Sequence, residues 1–427
     1  MHPKCIVVCI LNANTYKSIF TSLYMLTKEE LKKTLRIQRK SLLEREKILK
    51  REVLEEIETD VPFVTVISGI RRCGKSTLLK EMILQNQKFY YINLEDPNLS
   101  KLEIGNLGLL EEALLEEFGK ANYYYFDEIQ NLEGWEIIIR YLLDNKKRVI
   151  ITGSNASLLD KELGTKLTGR HLTYVLFPFS YKEFLKLKEE KGNKTNFLEY
   201  QQVGGMPEYL KIGNEKILQE LFKDVISRDI LIRHNIKNEK VINSLAIYLI
   251  TNIGKEFSYN NLTKVFNIKS VNTTRSYIDY LEDSYLVFTL PKFNYSLKKQ
   301  QVNQKKIYSI DNGLINSNST SFSGDLGKLL ENNIFLQLKR KHEQLFYFQK
   351  KGECDFLVKE RNKITKAIQV CYNLSEENKK REINGLIEAM TEFNLNEGLI
   401  LTYEQEDERI VENKKILVKP AWKWMLE

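Results

Sequence analysis

The sequence predicts an α/β protein in which parallel strands alternate with helices, and three features lead to this prediction. An apolar run rich in β-branched residues, 63–67, leads into a G-x-x-x-x-G-K-S/T motif that begins at Gly69, and a helical pattern follows. A second apolar run, 123–126, ends in two acidic residues, and a third, 148–152, ends in small polar residues. Apolar strands separated by helical patterns are typical of a parallel sheet covered on both faces.

The motif that begins at Gly69 has the spacing of a phosphate-binding loop, and its flanking strand and helix argue against a chance match. Glycines at positions 69 and 74 allow the backbone N–H groups to turn toward a phosphate chain at a helix N-terminus. Lys75 is expected to reach the β- and γ-phosphates, and the Ser76 hydroxyl to bind Mg²⁺. The expected nucleotide-binding residues are Gly69, Ile70, Arg71, Arg72, Cys73, Gly74, Lys75, Ser76 and Thr77.

The acidic pair Asp127 and Glu128 follows the second apolar strand, about fifty residues after the loop. Asp127, at a strand end, is expected to hold Mg²⁺ through water. Glu128 is expected to orient and polarise the water that attacks the γ-phosphate. The alternative is that the pair only forms a turn or a helix cap.

The strand that begins at Arg148 ends in Thr152, Ser154 and Asn155. In an open parallel sheet, ligands lie beyond the carboxyl ends of the strands, so these side chains are expected near the same phosphates. One of them could then sense the γ-phosphate. A turn formed by residues 153–155 is the alternative.

Composition places the chain among ordinary proteins of two to four domains. Its 427 residues are 42% hydrophobic and 29% charged, and the net charge of +8 permits nucleic-acid contact without requiring it. No apolar run approaches the ~20 residues of a membrane span, so no membrane partner is expected. The five cysteines form no C-x-x-C pair and are interpreted as reduced thiols of a cytoplasmic protein.

Three later stretches follow in a fixed order: IITGSNASLL at 150–159, LTGR at 167–170 and FPFSYKEF at 177–184. Together with the phosphate loop and the Asp-Glu strand, they resemble AAA+ ATPases abundant in archaea and some bacteria. In that family the ATPase core carries a C-terminal domain of uncharacterised role. The resemblance covers nearly all of the chain after about residue 50.

The resemblance implies an additional-strand P-loop ATPase core that hydrolyses ATP with Mg²⁺. Lys75 and Ser76 would contact phosphate and Mg²⁺, Asp127 would bind Mg²⁺, and Glu128 would be the base. The sensor would be Asn155 or Ser154.

Arg170 stands where the family keeps an arginine in T-G-R. Its guanidinium is suited to transition-state charge on the γ-phosphate, in cis or from a neighbouring subunit. A salt bridge at a strand start is the alternative.

A Gly-Gly-x-Pro segment, 204–207, resembles the family segment that lies against the nucleotide base, which makes Pro207 a candidate contact. The same residues suit a rigid hinge between core and lid. A helix over 217–236 follows, where Arg228 and Arg233 could face the nucleotide or a partner, or form helix-surface ion pairs.

The predicted domains follow from these patterns. Helical periodicity covers 26–57, and Met25 begins a cleaner helical pattern, so residues 1–24 could be an over-called start. The segments are an N-terminal, mostly helical part (1–60), the ATPase core (61–200), a helical lid (201–250), a winged helix (251–310) and an α/β restriction-endonuclease-like domain (311–427).

The winged helix is predicted from a helix-turn-helix-strand pattern over 257–290. Its second helix would present Thr273, Thr274 and Arg275 to DNA. Lysines in or near the wing would suit phosphate contacts. They are Lys298, Lys299, Lys305 and Lys306. The alternative is a packing module without DNA contact.

The last third has the frame of a PD-(D/E)XK nuclease, in which converging acids bind Mg²⁺ and a lysine activates water. Glu331 on a helix, Asp355 on a strand and Gln369 on the next strand occupy the frame positions. Gln369 replaces the usual carboxylate, and Cys371 stands in place of the lysine. A degenerate site without nuclease activity is therefore expected.

The leading functional hypothesis is an ATPase switch in which turnover moves the C-terminal domains. A DNA-binding or DNA-processing protein is the second hypothesis. A scaffold whose assembly is controlled by nucleotide, as a homo-oligomer or with a protein client, is the third.

Overall fold

A five-stranded parallel sheet forms the first layer of the protein. The computed structural model describes residues 26–44, 48–85, 88–154, 169–319 and 325–427. The strands are β1 (Val64–Ser68), β2 (Phe89–Asn93), β3 (Tyr123–Asp127), β4 (Arg148–Gly153) and β5 (His171–Val175). Their order is β2-β3-β4-β1-β5, and every neighbouring pair is parallel.

The strand order explains why the polar strand ends meet. β4 lies between β1 and β3, as the resemblance to additional-strand ATPases implies. Ser68 pairs with Gly153, and Phe126 pairs with Ile151, so the carboxyl ends of these three strands adjoin. The phosphate loop, the acidic pair and Thr152 therefore share one edge of the sheet.

Helices cover both faces of this sheet, and successive strand residues alternate between two apolar cores. Ile67 and Ile150 face one core, whereas Val66 and Ile151 face the other. The surrounding helices are α1 (Lys28–Leu43), α2 (Lys75–Ile83), α3 (Leu107–Phe118) and α4 (Trp135–Asp144).

The N-terminal helix is shorter than its periodicity over 26–57 predicts. It ends at Leu43, and a short 3-10 helix at Glu52–Glu55 follows. Before this 3-10 helix, the buried guanidinium of Arg51 donates to Glu183 and to two backbone carbonyls of the core. These contacts hold Arg51 in an extended conformation that a continuous helix could not provide. Residues 1–25 lie outside the described ranges.

A helical layer follows the parallel sheet and includes the predicted lid. No helix in the described ranges has both the length and the apolar character needed to cross a bilayer. The helices are α5 (Tyr181–Lys188), α6 (Lys194–Val203), α7 (Pro207–Ile212), α8 (Lys216–Asp224), a π-helix (Val225–Ile232) and α9 (Glu239–Thr251).

A three-stranded antiparallel sheet then packs with two helices. Its strands are β6 (Glu256–Phe257), β7 (Val287–Pro291) and β8 (Lys305–Ser309), in the order β6-β8-β7. Helices α10 (Tyr259–Val265) and α11 (Val271–Asp283) precede β7. The connection between β7 and β8, residues 292–304, contains the short helix α12 (Leu297–Val302).

The C-terminal part is a six-stranded mixed sheet with helices beside it. The strands are β9 (Gln344–Gln349), β10 (Glu353–Glu360), β11 (Lys363–Val370), β12 (Glu397–Thr402), β13 (Asp407–Val411) and β14 (Lys414–Pro420), in the order β13-β14-β12-β11-β10-β9. The helices are α13 (Asn312–Asn318), α14 (Leu326–Lys341), α15 (Lys379–Glu392) and α16 (Ala421–Trp424). One apolar core joins this part to the parallel sheet, since it includes both Ile67 and Phe356.

Candidate nucleotide-binding site

The loop after β1 has the backbone shape that its glycines predict. Gly69 has a φ of 150°, and a Cβ atom there would lie 2.3 Å from the carbonyl oxygen of Leu176. Gly74 has a φ of 100° and precedes α2. Arg72 is also left-handed, with a φ of 61°. The loop therefore adopts a strained conformation of the kind found at ligand sites.

Lys75 is buried at the centre of this loop. Its Nζ donates to the carbonyl oxygens of Gly69 at 3.2 Å and Ile70 at 3.3 Å, and lies 3.3 Å from Glu128 Oε1. Burial opposes the charged form, but Glu128, Cys73 and Asp127 together outweigh it and raise the pKa of Lys75. The ammonium group is thus charged and available to phosphate oxygens.

Asp127 is buried beside the first turn of α2. Thr152 Oγ1 donates to its Oδ1 at 2.5 Å, and the Tyr91 hydroxyl donates to its Oδ2 at 3.0 Å. Ser76 also hydrogen-bonds this carboxylate. Burial raises the pKa of Asp127, whereas the bonds from Thr152 and Ser76 lower it. A carboxylate and a hydroxyl in contact are oxygen ligands that suit Mg²⁺.

Glu128 is held in a left-handed conformation, with a φ of 53°. Its backbone N–H donates to Thr152 Oγ1 at 2.9 Å, and Gln130 Nε2 donates to its Oε2 at 2.5 Å. Burial raises the pKa of Glu128, but Lys75, Gln130 and Arg71 together outweigh burial, and the net shift is downward. The carboxylate is therefore ionised and fixed next to the phosphate loop.

A cleft of about 510 Å³ opens over these residues. The loop, Glu128 and the lid contribute to its walls, and Pro207 and Glu208 at the start of α7 line it. Pro207 therefore lines the cleft, and its contact with a nucleotide stays a prediction.

Two successive arginines of the loop form ion pairs with the lid. Arg71 Nε donates to Asp229 Oδ2 at 2.8 Å, and Asp229 is buried in the π-helix. Arg72 pairs with Glu208 at 3.3 Å and Asp224 at 3.2 Å. The lid therefore contacts the phosphate loop through charged groups at the cleft.

Of the two sensor candidates, Ser154 lies within the described residues. Ser154 is buried, and its hydroxyl donates to Asp229 Oδ1 at 3.5 Å. Ser154 thereby connects the end of β4 to the lid. Asn155 lies outside the described residues.

Arg170 lies at the opposite edge of the sheet from the phosphate loop. Its carbonyl accepts from the N–H of Val64, at the first residue of β1, and its guanidinium pairs with Asp144 at 2.9 Å. The predicted cis contact with the γ-phosphate does not agree with this position. The side chain forms the alternative contact, a salt bridge at a strand start. Action in a neighbouring subunit stays a prediction.

Three contributors to the site were not identified from the sequence. Tyr91 and Gln130 hold the two acids, and Asp229 holds Arg71. Asp229 lies on the predicted helix that carries Arg228 and Arg233, and it is buried within the π-helix. No sequence motif marks Tyr91 at the middle of β2.

The helix-turn-helix candidates have mixed outcomes. Thr274 is buried and shares a 2.7 Å hydrogen bond with Thr263. Because its side chain does not reach the surface, the prediction that it contacts DNA is wrong. Thr273 hydrogen-bonds Ser270 at the helix start. Arg275 is exposed, with its guanidinium over the Tyr259 ring.

Lys306 also differs from its expected role as a wing lysine that contacts phosphate. It is 3% exposed, and its Nζ lies 2.6 Å from Glu353, 2.9 Å from Asp355 and 3.4 Å from Glu331. An ammonium group therefore lies among the acids of the nuclease-like frame. Since it is surrounded by carboxylates, it is not available to a phosphate.

Gln369 is engaged in the same region. Its Oε1 accepts from the backbone N–H of Asp355 at 3.1 Å, and its Nε2 donates to Glu382 at 2.7 Å. Cys371 is buried, and burial raises the pKa of its thiol to about 11. Neither side chain supplies the carboxylate or the cation that the nuclease frame lacks.

The chain is similar to known proteins over most of its length. Residues 62–185 match an AAA domain, and residues 194–323 match a domain of unknown function, DUF8612. An uncharacterised protein of Methanocaldococcus jannaschii is 38% identical over 412 residues, covering 89% of this chain and 91% of the relative. An uncharacterised protein of Haemophilus influenzae is 27% identical over 359 residues, covering 79% of this chain and 88% of the relative.

Among solved structures, domain III of the Thermotoga maritima replication initiation protein DnaA aligns with 42% of this chain and 83% of that domain. The identity is 19% and the TM-score is 0.28, which is too low to support an argument. The assignment of the core therefore depends on the AAA-domain match, the strand order and the site geometry.

Proposed function

This chain belongs to the family of its Methanocaldococcus jannaschii relative, and from its AAA domain we propose that it is a Mg²⁺-dependent ATPase that works as a molecular switch. The observation that carries the proposal is the buried Lys75, whose Nζ lies 3.3 Å from Glu128 Oε1 at the loop that also carries Ser76. A hydroxyl, a carboxylate and an ammonium group then converge on one loop, as triphosphate binding requires.

The residues around the loop support hydrolysis as well as binding. Lys75 pairs with Glu128, and a triphosphate would draw the ammonium group toward its own oxygens. Glu128 would then lose the partner that lowers its pKa and become a stronger base toward water. Ser76 and Asp127 would hold Mg²⁺, which neutralises charge on the phosphates.

The switch is supported by the ion pairs between loop and lid. Phosphate oxygens would compete with Asp229 for Arg71, and with Glu208 and Asp224 for Arg72. Loss of these pairs would loosen the π-helix. Hydrogen exchange of residues 225–232 should therefore rise with a non-hydrolysable ATP analogue in the wild type, and should not rise in Lys75→Ala.

ATP turnover by the pure protein tests the proposal. Lys75→Ala should lose ATP binding, because the buried ammonium group is removed. Glu128→Gln should keep binding and lose roughly 10²- to 10⁴-fold in turnover. Lys88→Ala, an exposed lysine, is the control. Wild-type protein without turnover, or unchanged turnover in Lys75→Ala, would rule the proposal out.

We also propose that 251–310 is a winged helix and 311–427 a nuclease-like domain without nuclease activity. The order β6-β8-β7 beside α10 and α11 supports the first assignment. The ammonium group of Lys306 among the frame acids supports the absence of nuclease activity. A metal-dependent nuclease assay with plasmid DNA should give no cleavage, and cleavage lost in Asp355→Asn would contradict this.

Oligomerisation, a protein client and a cytoplasmic location stay proposals. Arg170 is 39% exposed on its side chain and could reach a neighbouring subunit. Turnover per subunit that rises with protein concentration, and no longer does so in Arg170→Ala, would support a trans role. Light scattering with and without ATP distinguishes a scaffold from a monomeric enzyme.

A further inference from the structure

The connection between β7 and β8 forms an aromatic ridge against the edge strand of the six-stranded sheet. The backbone N–H of Phe293 donates to the carbonyl of Tyr347 at 2.8 Å. The Phe293 ring packs edge-on against Phe346 and Phe393, with centroids 5.5 and 4.8 Å apart. Tyr295, on the same ridge, is 76% exposed. The ridge therefore presents an aromatic ring to solvent from a fixed base.

Two clefts flank this ridge. One has a volume of about 820 Å³ and the other about 620 Å³. Both are lined by Phe293, Asn294 and Tyr295. Because they share these residues, the two clefts adjoin at the exposed ring, and together they are called the groove.

The groove is basic on both sides of the ridge. Glu392 is the acid that lines both clefts, and it already pairs with Lys350 at 2.7 Å. Lys298 and Lys299 have no acidic partner in the described ranges. The lysines that line the groove are Lys292, Lys298, Lys299 and Lys350 on one side and Lys359 and Lys363 on the other. This charge favours a polyanion.

We propose that the groove binds single-stranded nucleic acid, with a base stacked on Tyr295 and phosphates beside Lys298 and Lys299. A basic groove that follows a backbone, combined with an exposed aromatic ring, is the arrangement that binds single strands without sequence preference. An acidic protein surface would use the lysines but would not need the flat ring. The duplex-reading helix is less suited, because Thr274 in it is buried.

Fluorescence anisotropy of a labelled oligothymidylate of about 20 nucleotides tests this surface. Wild-type binding should weaken between about 50 and 200 mM salt. Lys298→Ala with Lys299→Ala should weaken it roughly tenfold and reduce the salt slope by about 1.4, since each lost phosphate contact on a single strand contributes about 0.7. The control is Lys33→Ala with Lys40→Ala, exposed lysines of α1, which should bind as the wild type does.

Variants of the ridge separate stacking from charge. Tyr295→Ala should weaken binding roughly tenfold without changing the salt slope, whereas Tyr295→Phe should bind normally. Unaltered binding in Tyr295→Ala, equal competition by polyglutamate, or preference for a duplex would each overturn the proposal. Lys75→Ala should bind the oligonucleotide normally, so failure of the ATPase proposal would not affect this result.

Discussion

Replacement of Lys306 by methionine tests the buried charge cluster most directly. The ammonium group lies within 3.4 Å of three carboxylates, on Glu331, Glu353 and Asp355. Methionine keeps the unbranched shape of the side chain and removes the charge. Glu331 and Asp355 would then be left without their cation in a buried site.

The expected loss is about 3–5 kcal/mol in the free energy of unfolding, the usual cost of removing one partner from a buried ion pair. The loss should depend on pH. Burial raises the pKa of Glu331 to about 7, although Lys306 opposes the shift. A carboxyl group with a raised folded pKa stabilises the fold below its unfolded pKa, and this contribution is lost as pH rises through the folded value. Without Lys306 the pKa rises further, so the deficit should be larger at about pH 8 than at about pH 5.

Urea unfolding of Lys306→Met and the wild type at both pH values gives the comparison. Lys305→Met, the preceding residue, should lose less than about 1 kcal/mol. Adding Glu331→Gln to Lys306→Met should recover part of the loss, because one uncompensated charge is removed. A Lys306→Met variant that loses under about 1 kcal/mol at both pH values would refute the assignment of Lys306 as the cation of this cluster.

Three further predictions concern the site and the hinge. Thr152→Val removes the hydroxyl that donates to Asp127, and ATP turnover at limiting Mg²⁺ should fall roughly 10- to 100-fold in a Mg²⁺ titration. Gly205→Ala would place a Cβ atom 2.2 Å from the carbonyl oxygen of Phe179, and thermal unfolding should show a loss of about 1–3 kcal/mol. Burial raises the pKa of Asp311 to about 6. As the pH rises from about 4 to 7, the free energy of unfolding of the wild type should therefore fall by roughly 3 kcal/mol relative to that of Asp311→Asn, as measured by chemical unfolding.

The arrangement of the phosphate loop beside Asp127 could be predicted from the sequence because these residues follow local spacing. The loop from Gly69 to Thr77 directly follows β1 and leads into α2. Asp127 ends a strand of the same parallel sheet, so it lies at the same edge of the sheet as this loop. What completes the site comes from distant segments. Thr152 hydrogen-bonds Glu128 and Asp127, which precede it by 24 and 25 residues in the sequence. Asp229, which pairs with Arg71, lies 158 residues after it.

The C-terminal part was predicted less completely, for two physical reasons. Lysines in a polar connection are usually exposed, so nothing in the sequence around Lys306 indicates partners 25 and 49 residues away. Strand β13 is mostly charged and lies at a sheet edge, where solvent replaces the apolar pattern that marks a strand. The hairpin of β13 and β14 was therefore missed, whereas the strands that carry Asp355 and Gln369, β10 and β11, were predicted.

Two buried hydrogen bonds connect the nucleotide cleft to the C-terminal parts. The Tyr285 hydroxyl donates to Ser68 Oγ at 2.7 Å, directly before Gly69. The N–H of Gly205, at the hinge before the lid, donates to Asp311 Oδ2 at 2.6 Å. A change in the phosphate loop that moved only the lid would leave the first bond intact. Movement of the C-terminal parts must instead break these bonds or carry both partners together, since breaking them leaves buried polar groups unpaired. The proposed switch therefore requires that nucleotide binding supply at least the cost of this rearrangement.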